Sequence, residues 1–126
     1  MKQWLILIIS LLILVFAGIY EINYLENTSK YILSDVRYAK QLVDLKNIEM
    51  AKEHFDSLKS TWDNLKQPWG IFIDHDEIGY LDEAITSYKS YLDKNNAADA
   101  YVMICEVERL INHTVGKQEM EIGNIL

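Results

Sequence analysis

From Trp4 to Tyr20 the chain reads WLILIISLLILVFAGIY, an unbroken run without a charge. Seventeen residues of helix at about 1.5 Å rise cover roughly 25 Å, near the lower limit for crossing a bilayer. After Glu21 the pattern turns helical and periodic. Tyr24, Tyr31 and Tyr38 recur at intervals of seven, flanked by Leu25, Ile32 and Ala39, and Leu42 and Leu45 extend the same apolar face. One helix is therefore predicted to run straight out of the span.

Asn47 suits the cap of a second helix, whose apolar positions Ala51, Phe55, Leu58, Trp62 and Leu65 alternate spacings of four and three. This helix is predicted to stop before Pro68, because the proline ring restricts the residue ahead of it. A third helix carries Ile78, Leu81, Ile85, Tyr88 and Leu92. Its start is placed near Pro68, which fits a first helical position. The alternative is Asp74, where Glu77 would complete an acidic capping box and Ile73 with Ile78 a hydrophobic staple. Asp93-Lys94-Asn95-Asn96 turns the chain into a fourth helix bearing Ala100, Ile104, Val107 and Ile111, predicted to end near Gly116. The tail Gly123-Asn124-Ile125-Leu126 is expected to fold back onto the other helices.

Helices joined by such short turns should be antiparallel neighbours. The predicted fold is all-α: an N-terminal transmembrane helix, residues 1–21, continuing into an antiparallel four-helix extracytoplasmic bundle, residues 22–126. No strand pattern competes, and the single proline and five glycines leave few breakers.

Charge sets the orientation. Lys2 precedes the apolar run and Glu21 and Glu26 follow it, so the positive-inside tendency leaves the N-terminus in the cytoplasm and the rest outside. Trp4 and Tyr20 stand at the two ends, where amphipathic rings favour the interface. Residues 4–20 would thus contact membrane lipid. The alternative is a secreted protein cleaved after Val15-Phe16-Ala17, with Gly18 as its first residue. From Glu21 onward 19 acidic residues face 11 basic ones, a net charge of −8. Such a domain is repelled by phosphate backbones, which argues against nucleic acid as a partner. Cys105 is the only cysteine, so no disulfide can form within the chain.

The densest group of potential ligands is Asp74-His75-Asp76-Glu77. Adjacent residues on a helix fan out by about 100°, so these four cannot converge on one ion. His75 also lacks a second ligand three or four residues on, and His54 and His113 lie on other helices. The reading preferred here is a structural polar network, in which His75 and Glu77 meet a carboxylate of the fourth helix such as Glu106 or Glu108. Asp93-Lys94-Asn95 opens like a calcium loop, but Ala97, Ala98 and Ile104 occupy positions that need a ligand, a glycine and a glutamate. There is no nucleophile elbow, no glycine-rich phosphate loop and no histidine at helical spacing from Cys105. Neither catalytic residues nor a cofactor are expected, and the chain is read as a non-enzyme. The sequons at Asn27 and Asn112 fall in predicted helices. Trp62, Trp69 and Phe72 cluster around the turn between the second and third helices, as a core plug or, alternatively, a partner groove.

Taken together, an N-terminal span, Trp62, Trp69 seven residues later, His75-Asp76-Glu77 and a closing Asn-Ile-Leu form a recognisable pattern. It resembles an uncharacterised family of small, single-span, membrane-anchored helical proteins of Gram-positive, often spore-forming bacteria, catalogued as a domain of unknown function. The resemblance implies a bacterial envelope location and no activity. The expected role is a non-enzymatic interaction or scaffold module for another envelope or membrane protein. The alternative is a ligand- or metal-sensing bundle, with a cavity lined by His75, Glu77 and acids of the fourth helix.

Overall fold

The computed structural model describes residues 1–125, which form four helices and, among those residues, no strand. Helix α1 (Lys2–Asp44) is followed by α2 (Ile48–Phe72), α3 (His75–Asp93) and α4 (Ala97–Ile125). α1 packs against α2 and α4, and α3 packs against the same two, which makes a bundle with four seams. At 43 residues, α1 is about 65 Å long. Its apolar first part is long and hydrophobic enough to cross a membrane and lies outside the packed core. Its second part is one wall of the bundle.

The buried positions of α1 follow two rows of period seven, Leu25–Ile32–Ala39 and Ser29–Val36–Val43, the spacing that keeps one seam facing its neighbours. Tyr24 is half-buried against this core, but Tyr31 and Tyr38 are not part of it. Tyr31 is 67% exposed, and Leu45, expected on the same face, is 78% exposed. A rotation of one residue, about 100°, separates Tyr31 from Ile32, and the core takes the isoleucine.

Three boundaries differ from the sequence expectations. α2 does not stop before Pro68 but runs through it to Phe72. The proline forfeits one helical hydrogen bond. In return the extra turn carries Trp69 into the core, fully buried, with its indole N–H donating to Thr28 Oγ1 at 2.9 Å. α3 accordingly starts at His75, with Asp74 at the cap position. No capping box forms there, because the Asp74 and Glu77 carboxylates both turn to Lys117 of α4, at 3.5 and 3.1 Å. α4 does not end near Gly116 but continues to Ile125, with Ile122 buried. The tail therefore does not fold back: Ile125 is exposed, and Leu126 lies outside the described residues.

The two turns far from the apolar segment are built alike. Lys46 and Asn95 adopt left-handed backbone, φ 59° and 56°. The amides of Lys46 and Asn47 donate back to Val43 and Leu42, and those of Asn95 and Asn96 to Leu92 and Tyr91, each at 2.9 Å. This pair of hydrogen bonds closes a helix end. The same asparagines then open the next helix, Asn47 Oδ1 accepting from the Met50 amide and Asn96 Oδ1 from the Asp99 amide.

Trp62 sits at the centre of the core, fully buried, edge-on to Trp69 at 5.9 Å between ring centroids. Its N–H donates to Asp82 of α3 at 2.7 Å, so the indole is buried without an unpaired donor. Truncation to alanine removes both the packing and that bond. Trp62→Ala is expected to cost about 3–5 kcal/mol in denaturant titration, and a loss below about 1 kcal/mol would place the ring outside the core. Tyr88 is the opposite case. Its ring is fully buried and stacks on Phe55 at 6.1 Å, but its hydroxyl has no hydrogen-bond partner among the described residues. Tyr88→Phe is expected to raise stability by about 1 kcal/mol, the cost of an unpaired buried hydroxyl. A destabilised variant would mean that the hydroxyl is satisfied.

Candidate functional site

The polar groups that carry chemistry fall into separate places rather than one pocket. Between α1 and α2, Asp35 holds two partners: Thr61 Oγ1 donates to Oδ2 at 2.8 Å and His54 Nε2 lies 3.3 Å from Oδ1. The Tyr38 ring meets the imidazole edge-on at 4.7 Å, and His54 Nδ1 is buried without a partner among the described residues. The histidine is thus oriented by a carboxylate, but its free nitrogen faces protein and not solvent. His54 and Thr61 lie seven apart on one face of α2 and Asp35 lies on α1, and no local pattern in the sequence ties the pair to that carboxylate.

Trp62 and Trp69 are brought together, but Phe72 turns away from them, half-buried against Tyr24 of α1 at 6.1 Å. Asp82 is held by the Trp62 N–H and the Lys66 ammonium. Burial pushes its carboxyl up, and the two donors more than reverse this, leaving it below the usual carboxylate range.

The expected network of His75, Glu77 and Glu106 is not assembled. His75 is exposed at the start of α3 and borders a groove between α2 and α3, beside Asp63, Lys66 and Ile71. Glu77 is taken by Lys117. Glu106 is clamped by Arg109 on its own helix, at 2.6 and 2.9 Å. It borders a different groove, about 370 Å³ and open, between α3 and α4 with Tyr80 and Glu83. Glu108, the other candidate, faces Lys40 and Arg37 of α1 at 3.4 and 3.7 Å. A lysine therefore plays the cross-helix part foreseen for the histidine, one helical turn beyond His113 on α4. The cavity that a sensing role would require is not formed by these residues. Among the described residues no three histidine, cysteine, aspartate or glutamate side chains converge as metal ligands do.

The seam between α1 and α4 holds acids at the end nearest the apolar segment. Glu21 Oε1 accepts from Gln118 Nε2 at 2.6 Å. On the next residue of α4, burial pushes the Glu119 carboxyl up, and the neighbouring Glu26 carboxylate adds to the shift. Cys105 is half-buried on the same helix, one turn from Tyr101.

These features define a class: a small all-α bundle whose first helix extends into a segment apolar enough to span a membrane, with its polar side chains paired across the seams. Residues 19–125 match the family described as Domain of unknown function (DUF4363), and the chain belongs to it. No curated protein and no solved structure matches the chain.

The Glu119 shift has a definite sign. Its pKa is raised in the folded protein, so ionisation weakens the fold, and the penalty is complete once the pH exceeds that raised value. Glu119→Gln is expected to raise the melting temperature at neutral pH. The gain should shrink as the pH falls through the raised value toward the ordinary glutamate pKa near 4.5. Paired melts across that range check it, and a gain that does not depend on pH would contradict the assignment.

Proposed function

We propose that the protein is a single-span envelope protein whose antiparallel four-helix bundle, residues 22–126, stands outside the cytoplasm and serves as a non-enzymatic docking or scaffold module for another envelope or membrane protein. The observation that carries this reading is the continuity of α1. Its first part is apolar and unpacked, and its second part, with no break between, is a wall of the bundle. An apolar surface of that size on a soluble protein would drive aggregation, whereas in a bilayer it is an anchor at residues 4–20.

Pairs such as Thr28 with Trp69 and Asp35 with Thr61 support an antiparallel α1 and α2. Glu21 with Gln118 and Lys40 with Glu108 support the same for α1 and α4. Lys2 on one side of the run and the acidic bundle on the other support the orientation. Trp62 with Asp82, Trp69 with Thr28 and Thr61 with Asp35 are spent on cross-helix pairing, which supports a binding role over a catalytic one.

The test uses the full chain in bacterial membranes. Carbonate extraction should leave it in the membrane fraction, and protease added outside spheroplasts should digest the bundle. Intact mass should include Met1, with or without its formyl group, or begin at Lys2. Protection from external protease would reverse the orientation, and a product beginning at Gly18 would replace the anchor with a cleaved signal.

A further inference from the structure

α4 reaches further toward the apolar segment than an ordinary bundle requires. Gln118 bonds to Glu21, the first charged residue after the apolar run, so these two stand at one level. Lys40 meets Glu108 and Glu21 meets Gln118, so positions on α4 rise as those on α1 fall. The turns from Gln118 to Ile125 therefore continue past Glu21 to the end of the apolar run.

Burial agrees with this path. Within residues 2–20 only Val15 and Gly18 are partly covered, and they continue the row of Ile22 and Leu25 that faces the core. Ile122 is buried on the opposite side of the seam. The outward side chains of the same turns include Met120, 69% exposed, and Ile125, 72% exposed. A second element ends nearby. Phe72 packs on Tyr24, so Ile71, 78% exposed, stands about four residues above Tyr20, roughly 6 Å and within a headgroup layer.

We propose that the last turns of α4 form an interfacial foot. Met120 and Ile125 enter the boundary between headgroups and acyl chains, Ile71 touches the headgroups, and the bundle sits directly on the bilayer that holds its anchor. The proposal rests on the membrane reading of residues 4–20 and adds to it a second contact of different sequence. Lipid is the occupant because α1 itself fixes the height of these residues. A protein partner would have to reach them at the depth of the span. Acids at the same end, Glu121 and Asp76 among them, disfavour an anionic surface, so the seat fits zwitterionic lipid.

The full chain with Cys105→Ser carries one new cysteine at a time, Leu12→Cys, Ile71→Cys, Met120→Cys, Ile125→Cys or Val102→Cys, labelled with an environment-sensitive fluorophore in phosphatidylcholine vesicles. Circular dichroism checks that each labelled protein keeps its helices. Labels at Leu12, Met120 and Ile125 should all shift to the blue and lose fluorescence to acyl-chain nitroxides, Met120 and Ile125 most to nitroxides placed near the headgroup end of the chain and Leu12 most to those placed deep. Ile71 should respond to a headgroup nitroxide, and Val102 to aqueous iodide alone. If Met120 and Ile125 behave like Val102 while Leu12 is quenched from lipid, the anchor stands and the foot is wrong. If both are shielded from lipid and from iodide, protein covers them and the foot is equally wrong. If Leu12 itself answers to iodide, the membrane reading fails first.

Discussion

The structure depends on one helix being continuous. α1 passes from an unpacked apolar stretch into a core wall without a turn, a proline or a change of period. Because helix residues advance by about 100° and 1.5 Å each, the rotation and height of the apolar stretch are set by the same register that places Leu25 and Ile32 in the core. The other helices then inherit their positions from α1. Thr28 receives Trp69, Asp35 receives Thr61 and His54, and Glu21 receives Gln118.

Within the bundle, large aromatic rings fill the core and their polar atoms decide which helices pair. The Trp62 indole requires an acceptor and finds Asp82 on α3, and the Trp69 indole finds Thr28 on α1. Each bond is modest in net energy, but an unpaired indole N–H in the core would be costly, so the two rings specify the neighbours of α2. The open groove between α3 and α4 has both of its central charges, Glu106 and Arg109, paired with each other.

Much of this was legible in the sequence because it rests on period and capping. Four helices, the cap at Asn47, the turn at Asn95-Asn96 and the core positions Leu58, Trp62, Leu81, Ile85 and Ile104 all follow from spacing. What was not legible required knowing which helices meet. Pro68 and Gly116 are local stop signals, and both are overridden because Trp69 and Ile122 gain burial beyond them. His75 was expected to reach across a seam, but its position faces outward, and Lys117 takes that part from the opposite helix. His54 and Thr61 share a face of α2 at an interval of seven, but nothing local says that Asp35 of α1 meets them. The tyrosines of period seven were misleading for a simpler reason: a heptad marks a stripe, several stripes of α1 share the period, and Tyr31 and Tyr38 fall on one that faces outward.

The shared helix also decides how the molecule bears a load. A pull on the segment before Glu21 acts along the axis of α1, which is bonded side by side to α2 and to α4 over most of its remaining length. Such a force must slide whole seams at once, not open them one contact after another like a zipper. Shear of that kind engages the Glu21, Lys40, Asp35 and Thr28 contacts together, whereas peeling would meet them singly. An α1 interrupted by a flexible linker would deliver the same pull to a single turn at the edge of the bundle.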